Sequence, residues 1–347
     1  MKYRLMAIIP VVFMLMVASN DALGQGWEHM LQKLYMAAKP EGSVAFNSGG
    51  GELSVGGKEG IEKFTKRFPG IRLDVTGISS TKLFPRIVAE ARAGKISIDV
   101  DLGNPPAIKS LIDRGLIATL NPTELTDKPE KVSYLFDTRS PVARHQLTHF
   151  VYNTKLVSKA DLPKRYEDLL DPKWKGKIGL DGRGPWEFTL LRILWGEQKF
   201  WQFIKSLGGQ NPVWDTRCSA STDRVVTGEA YFGCGTFSTV HDLRAKGAPL
   251  EFVPLSPMYI YPQILTPYKG AAHPNAAKLL IAWLLSPEGI EVTDKIGSGL
   301  AIPGTRFLKG LKAIGVELHF GENLPLEQLL ATETTRQEIA KAWGVLR

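Results

Sequence analysis

The chain is poor in the residues from which metal and redox centres are usually built. Two cysteines and six histidines occur in 347 residues, with no HExxH and no closely spaced carboxylate set, so a metal centre has no motif to rest on. Cys218 and Cys234 stand 16 positions apart, which matches no metal knuckle. Such a pair often bridges in an oxidising compartment, and closing a loop of that size stabilises by about 3 kcal/mol in the chain-entropy view. Spacing alone leaves a bridge and two free thiols both open.

Also missing is any dense Lys/Arg run interleaved with aromatics, which removes the usual signature of a nucleic-acid binder although the formal net charge is +8. That charge reads first as a solvated surface and second as a mild bias toward an anionic ligand. The N-terminal apolar run LMAIIPVVFMLMVA (5–18) is shorter than the ~20 residues a membrane span needs, and Pro10 interrupts it. Lys2 and Arg4 precede it and Ala22-Leu23-Gly24 follow, so residues 1–24 read as a cleaved export signal, with an uncleaved anchor as the alternative. No cysteine follows to take a lipid. The expected compartment is the periplasm, and removal of the signal lowers the charge to about +7.

What is present is a repeated strand, polar loop and helix. SVAFN (43–47) enters the glycine-rich loop SGGGE and a helix with Ile61, Phe64 and Phe68 on one face, ended by Pro69-Gly70. IRLDVTG (71–77) alternates like a half-buried strand before Ile78-Ser79-Ser80-Thr81 and the helix LFPRIVAEARAG, with Pro85 expected in its first turn. SIDVDL (97–102) leads through Gly103-Asn104-Pro105-Pro106 to a third helix. The pattern resumes with KIGLDG and Arg183-Gly184-Pro185-Trp186, with NPVWDT and Arg217-Cys218-Ser219-Ala220-Ser221, and with YFGC and Gly235-Thr236-Phe237-Ser238. Alternation of this kind predicts an α/β fold whose loops converge at the C-terminal strand ends and present helix N-termini suited to an anion. LTHFVYNTKLVS (147–158) and YIYPQILTPY (259–268) are extended segments outside the pattern and are expected to cross between two lobes as a hinge.

FTKRFPGIRLDVTG, IVAEARAGKISIDV, FVYNTKLVSKADLPKRYEDLLDPKWKGKIGL, TGEAYFGCGTF and HPNAAKLLIAWLLSPEG, in that order, resemble the type II periplasmic solute-binding proteins of ABC importers. The match is with the ferric-ion, thiamine, polyamine and phosphonate branch. The resemblance implies two mixed sheets flanked by helices and joined by a two-strand hinge, with lobe 1 at 38–145 plus 264–310 and lobe 2 at 146–263 plus 311–347. It also implies a monomer that closes over a small solute and delivers it to an inner-membrane permease, with no cofactor and no catalysis.

Ferric-ion binders of this family use two adjacent tyrosines, a histidine and a glutamate. Aligned on RAKG (244–247), the tyrosines fall on Phe237 and Ser238, while the histidine after the first strand falls at Gly50 and the glutamate after the third at Asn104, none of them a metal ligand of that kind, so an organic or oxyanion solute is expected instead. The expected ligand-binding residues are Ser48, Gly49, Ser79, Ser80, Asn104, Arg183, Trp186, Arg217, Ser219, Phe237, Ser238 and Tyr259. Each has an ordinary structural alternative: the serines as helix caps, Gly49 in a tight turn, Arg183 paired with Asp181 or Glu187, and the aromatics in the core. Two minor readings stay open. Tyr259 and Tyr261 could supply a phenolate pair for iron, and Cys218, beside Arg217 with His241 as base, could act as the nucleophile of a thiaminase-like enzyme.

Overall fold

The computed structural model describes residues 26–48, 57–295 and 306–345. The proposed signal segment and Gly49 to Gly51 lie outside the described residues. After a helix over 26–38 (α1), the chain runs β1 (Ser43–Asn47), α2 (Gly57–Arg67), β2 (Arg72–Thr76), α3 (Ser80–Arg92), β3 (Val100–Gly103) and α4 (Pro105–Ile112). A short β4 (Tyr134–Leu135) precedes the long crossover β5 (Ser140–Asn153). The grammar then repeats as β6 (Gly179–Asp181), α5 (Thr189–Trp195), α6 (Glu197–Gly208), β7 (Val213–Asp215), α7 (Cys218–Thr227), β8 (Phe232–Thr236), α8 (Phe237–Ala245) and β9 (Leu250–Phe252). The second crossover is β10 (Met258–Pro267), followed by α9 (Pro274–Leu285), α10 (Pro287–Lys295), α11 (Arg306–Ala313), β11 (Leu318–Phe320) and α12 (Leu326–Trp343).

The two halves share one plan. In the first, β2, β1 and β3 are parallel neighbours and β10 adds antiparallel to β3. In the second, β7 and β6 are parallel, β6 approaches β8 through the parallel Ile178–Phe232 bridge, and β5 adds antiparallel to β8. The crossovers also pair with each other, Ile260 opposite Leu147 and Gln263 opposite Arg144, with a register shift between Gln263 and Ile264. β5 and β10 are therefore shared between both sheets, and the hinge is a continuous hydrogen-bonded ladder rather than two loose linkers. The extended segments foreseen from sequence are its core, although β5 begins seven residues earlier than the LTHF stretch.

Apolar periodicity determines which face each helix buries. Phe64 of α2 and Phe68 just beyond its end pack with Phe46, Leu102, Leu265 and Trp283, so β10 closes the core of the first half. Helix α9 is buried on nearly every side, from Ala276 to Leu285, because β1, β10 and α10 all pack against it. Burying a side chain of this size is worth roughly 1.5–3 kcal/mol, which explains a helix with almost no polar face. In the second half, Phe150, Ile178, Leu180, Phe188, Phe203 and Ile339 form one core. Leu308 and Leu311 of α11 join Val225, Val240, Phe252 and Met258 in another. Helix α3 starts at Ser80, with Lys82 and Leu83 donating to the Ser79 carbonyl. Pro85 thus falls in its second turn, not its first.

Candidate functional site

Strand register places the two sets of polar loops face to face. Gly103 at the end of β3 lies opposite Ile264, which lies opposite Val142 on β5. Thr236 at the end of β8 lies opposite Thr148 on the same strand. Since β3 runs antiparallel to β10, β10 to β5 and β5 to β8, the ends of β3 and β8 point toward each other. Six residue steps of β5 separate them, about 20 Å at the rise of a strand.

On the first wall, Asn47 is fully buried and knits the loops together. Its Nδ2 donates to the Ile78 carbonyl at 3.0 Å and to Asp101 Oδ1 at 2.6 Å, and its Oδ1 accepts from the Ile78 N–H at 2.8 Å. Ser48 donates to the Thr76 carbonyl from both its backbone N–H, at 2.8 Å, and its hydroxyl, at 3.0 Å. Burial pushes the Asp101 carboxyl up to about 7 against the favourable Asn47 hydrogen bond, so the knot is drawn around a side chain that readily holds a proton. The ends it fixes are Ser79 before α3, Ser80 as its first residue, and Asn104 before α4, all half-buried.

On the second wall, exposed Arg217 precedes α7 and half-buried Ser219 lies in its first turn. Thr236 caps α8, its hydroxyl accepting from the Thr239 N–H at 3.3 Å and donating to Thr239 Oγ1 at 2.8 Å. Ser238 follows, 3.4 Å from Thr236 Oγ1, while Phe237 stacks on Phe252 at 6.4 Å. None of α3, α4, α7 or α8 carries an acidic residue in its first turn, whereas α2, which starts beyond the same edge after β1, carries Glu59. Those four helices thus keep the positive end of the dipole uncompensated by their own side chains.

Residues 59–306 match the family model of the bacterial extracellular solute-binding proteins. The chain belongs to this family. A curated uncharacterized protein of Haemophilus influenzae is 30% identical to this solute-binding protein over 162 residues, 44% of the chain, and the chain spans 47% of that relative's length. Among solved structures, iron-bound HitA from Pseudomonas aeruginosa is 17% identical with a TM-score of 0.68, over 87% of this chain and 99% of that one. AfuA from Actinobacillus pleuropneumoniae with fructose-6-phosphate bound is 20% identical with a TM-score of 0.67, over 87% and 97%. At these identities the likeness shows the type II periplasmic-binding fold.

Several expected site residues of the solute-binding protein have partners within the protein. Arg183 grips Asp181 in bidentate fashion, with Nε at 2.9 Å and Nη2 at 2.7 Å from its two oxygens, which is the structural alternative foreseen for it. Trp186 is held between two partners, stacked on Tyr261 at 4.9 Å and covered by the Arg336 guanidinium at 4.2 Å. Helix α12 thus closes over the loop that the sequence placed at an open mouth, and Arg336 Nε donates to the Gly184 carbonyl at 2.8 Å. Tyr259 is buried with Tyr261, Leu190 and Leu324 rather than lining the walls. Burial pushes both phenols well above their ordinary range, which opposes the phenolate pair an iron site would need.

Cys218 and Cys234 form a disulfide with a Cα–Cα distance of 5.1 Å. No thiolate is therefore available at Cys218, and the thiaminase-like reading falls with it; His241 is exposed beside Asp242. Among the described residues no group of three or more His, Cys, Asp or Glu is arranged to hold a metal.

Sequence reasoning placed the hinge but missed the first part of β5, Ser140 to Gln146, which lies between the walls. Arg144, Gln146 and Thr148 alternate on one face of β5, Arg144 and Gln146 opposite Gln263 and Tyr261, and the Arg144 guanidinium donates to the Gln263 side chain. The period-two run Arg-His-Gln-Leu-Thr was the available signal. It was masked because the strand appeared to begin at Leu147.

Proposed function

We propose that this protein captures a small anionic organic solute or oxyanion between two lobes and passes it to an ABC-type permease of the inner membrane. The observation that carries this reading is the opposition of two strand ends across β5, each leading into helix N-termini without first-turn acids. Backbone N–H groups there, the hydroxyls of Ser79, Ser80, Ser219 and Ser238, the Asn104 amide and the Arg217 guanidinium are donors. Donors of this kind meet a carboxylate, phosphate or sulfonate by charge-assisted hydrogen bonds. Ser48 holds the wall in place, and Phe237 supplies an apolar flank. The sugar phosphate bound by AfuA supports the class, while the positions where the resemblance expects the metal ligands of ferric-ion binders hold Phe237, Ser238, Gly50 and Asn104 here.

The division we propose puts residues 38–145 and 264–295, the end of β10 with α9 and α10, in one lobe and residues 146–263 with α11, β11 and α12 in the other. The packing of Leu308 and Leu311 on Val240 and Phe252 supports moving α11 to the second. Export by the 1–24 segment would put a monomer in the periplasm, where the permease selects the closed form.

A thermal-shift screen of anions, amines, sugars and Fe(III)-citrate tests the reading. A true ligand at 100 times its Kd adds roughly 2.7 kcal/mol. Stabilisation by a phosphate ester, phosphonate or carboxylate is expected, and a response confined to Fe(III) or to cationic amines would overturn it.

A further inference from the structure

We infer that the Cys218–Cys234 disulfide is a positioning element of the solute site, holding the α7 and α8 edges at a fixed separation so that both reach one ligand; this rests on the solute reading above. The bridge joins the first residue of α7, between Arg217 and Ser219, to a buried position two residues before Thr236. It therefore ties together the two loops of the second wall, which emerge from strands on either side of β6.

Non-covalent packing already seats the body of α7 on β8. Ser221 Oγ accepts from the Cys234 N–H at 3.0 Å, Thr222 Oγ1 donates to the Cys234 carbonyl at 2.7 Å, and Val225 is fully buried. A Cβ added to Gly233 would stand 2.6 Å from Ser221 Oγ, so helix and strand are in direct contact. These side-chain contacts to β8 begin at Ser221, and Arg217 to Ala220 precede them. Arg217 offers α7 no side-chain cap, and uncapped first turns fray. The disulfide restrains that turn at the end facing the opposite wall.

A dithiol such as dithiothreitol can open the bridge: two electrons and two protons pass to the disulfide, leaving two thiols, and the reagent closes to its own cyclic disulfide. Hydrogen exchange on the oxidised protein, the reduced protein and the Cys218→Ala/Cys234→Ala variant then reads the positioning without any ligand. Amides 217–222 and 235–239 are expected to exchange about tenfold faster once the bridge is gone, with those of β3 and β10 unchanged. Unchanged exchange in both loops, or a uniform rise across the molecule, would overturn the inference.

Affinity supplies the second arm, with inorganic phosphate and fructose 6-phosphate as probes. For a probe that binds the oxidised protein, the double variant should raise Kd about tenfold, or roughly 1.4 kcal/mol. Glu41→Gln is the stability control, because it weakens the Glu41 cap on Asn275 and Ala276 at the start of α9, far from these loops. It should lower Tm and leave Kd unchanged; equal Kd values for the bridge variant and the oxidised protein would refute the positioning role. If neither probe binds the oxidised protein, the anion reading loses support while the exchange result still decides this one.

Discussion

Gly184 and Arg336 approach so closely that a Cβ on Gly184 would stand 2.1 Å from the Arg336 carbonyl oxygen. Gly184 also sits at φ +90°, a conformation that side chains rarely adopt. Contact and conformation together make Gly184→Ala a severe change, because the clash is with backbone and no rotamer relieves it. Urea unfolding should show a loss of about 3 kcal/mol, with α12 the first element to lose exchange protection.

Glu187 predicts a pH dependence. Burial, with a smaller contribution from Asp181, pushes its carboxyl up to about 7, despite the opposing Arg336 charge. Because the folded protein holds this proton more tightly than the unfolded chain, the associated stability is complete below about pH 4.5 and is lost as pH rises through 7. Glu187→Gln should flatten that slope and raise stability at pH 8 by about 2–3 kcal/mol relative to the parent. Thermal melts from pH 4.5 to 8 give the comparison, and parallel profiles would show that Glu187 stays ionised.

Tyr259 and Tyr261 should prove dispensable for solute capture. Their rings pack with Leu190 and Leu324 and their hydroxyls are buried, so Tyr259→Phe and Tyr261→Phe keep the packing and remove only the phenol. Neither variant should change the thermal shift given by an anion, and Fe(III) titration of the parent should produce no tyrosinate charge-transfer band.

Arg217 is the exposed cation at the second wall. Arg217→Ala should weaken anion binding about tenfold, the scale of one charge-assisted contact, with Tm of the free protein essentially unchanged. Isothermal titration measures this, and an unaltered Kd would remove Arg217 from the site.

Much of this organisation was legible in the sequence because period carries it. Alternating Ile71, Leu73 and Val75 against the 3–4-residue spacing of Ile61, Phe64 and Phe68 is enough to separate strand from helix. Serines and Asn104 at the strand-to-helix junctions are legible for a similar reason, since topology alone brings such junctions to one edge. Helix α12 was not legible in this way. Its Leu330 packs with the core around Ile108 and Ile264 while its Ile339 packs with Phe188 and Phe203, so its apolar residues serve two neighbours and form no single stripe. For that reason the fate of Trp186 could not be foreseen, as its partner Arg336 is 150 positions away and reads as an ordinary surface cation.

The pairing of Leu102 with Leu265 has a consequence for how the molecule comes into being. The first sheet waits for a strand that arrives only after the whole second half has been threaded through, a closure across more than a hundred and fifty residues of about the kind that slows two-state folders most. Neither half can mature as a self-sufficient unit, so severing the chain between them should yield two insoluble pieces rather than two small proteins.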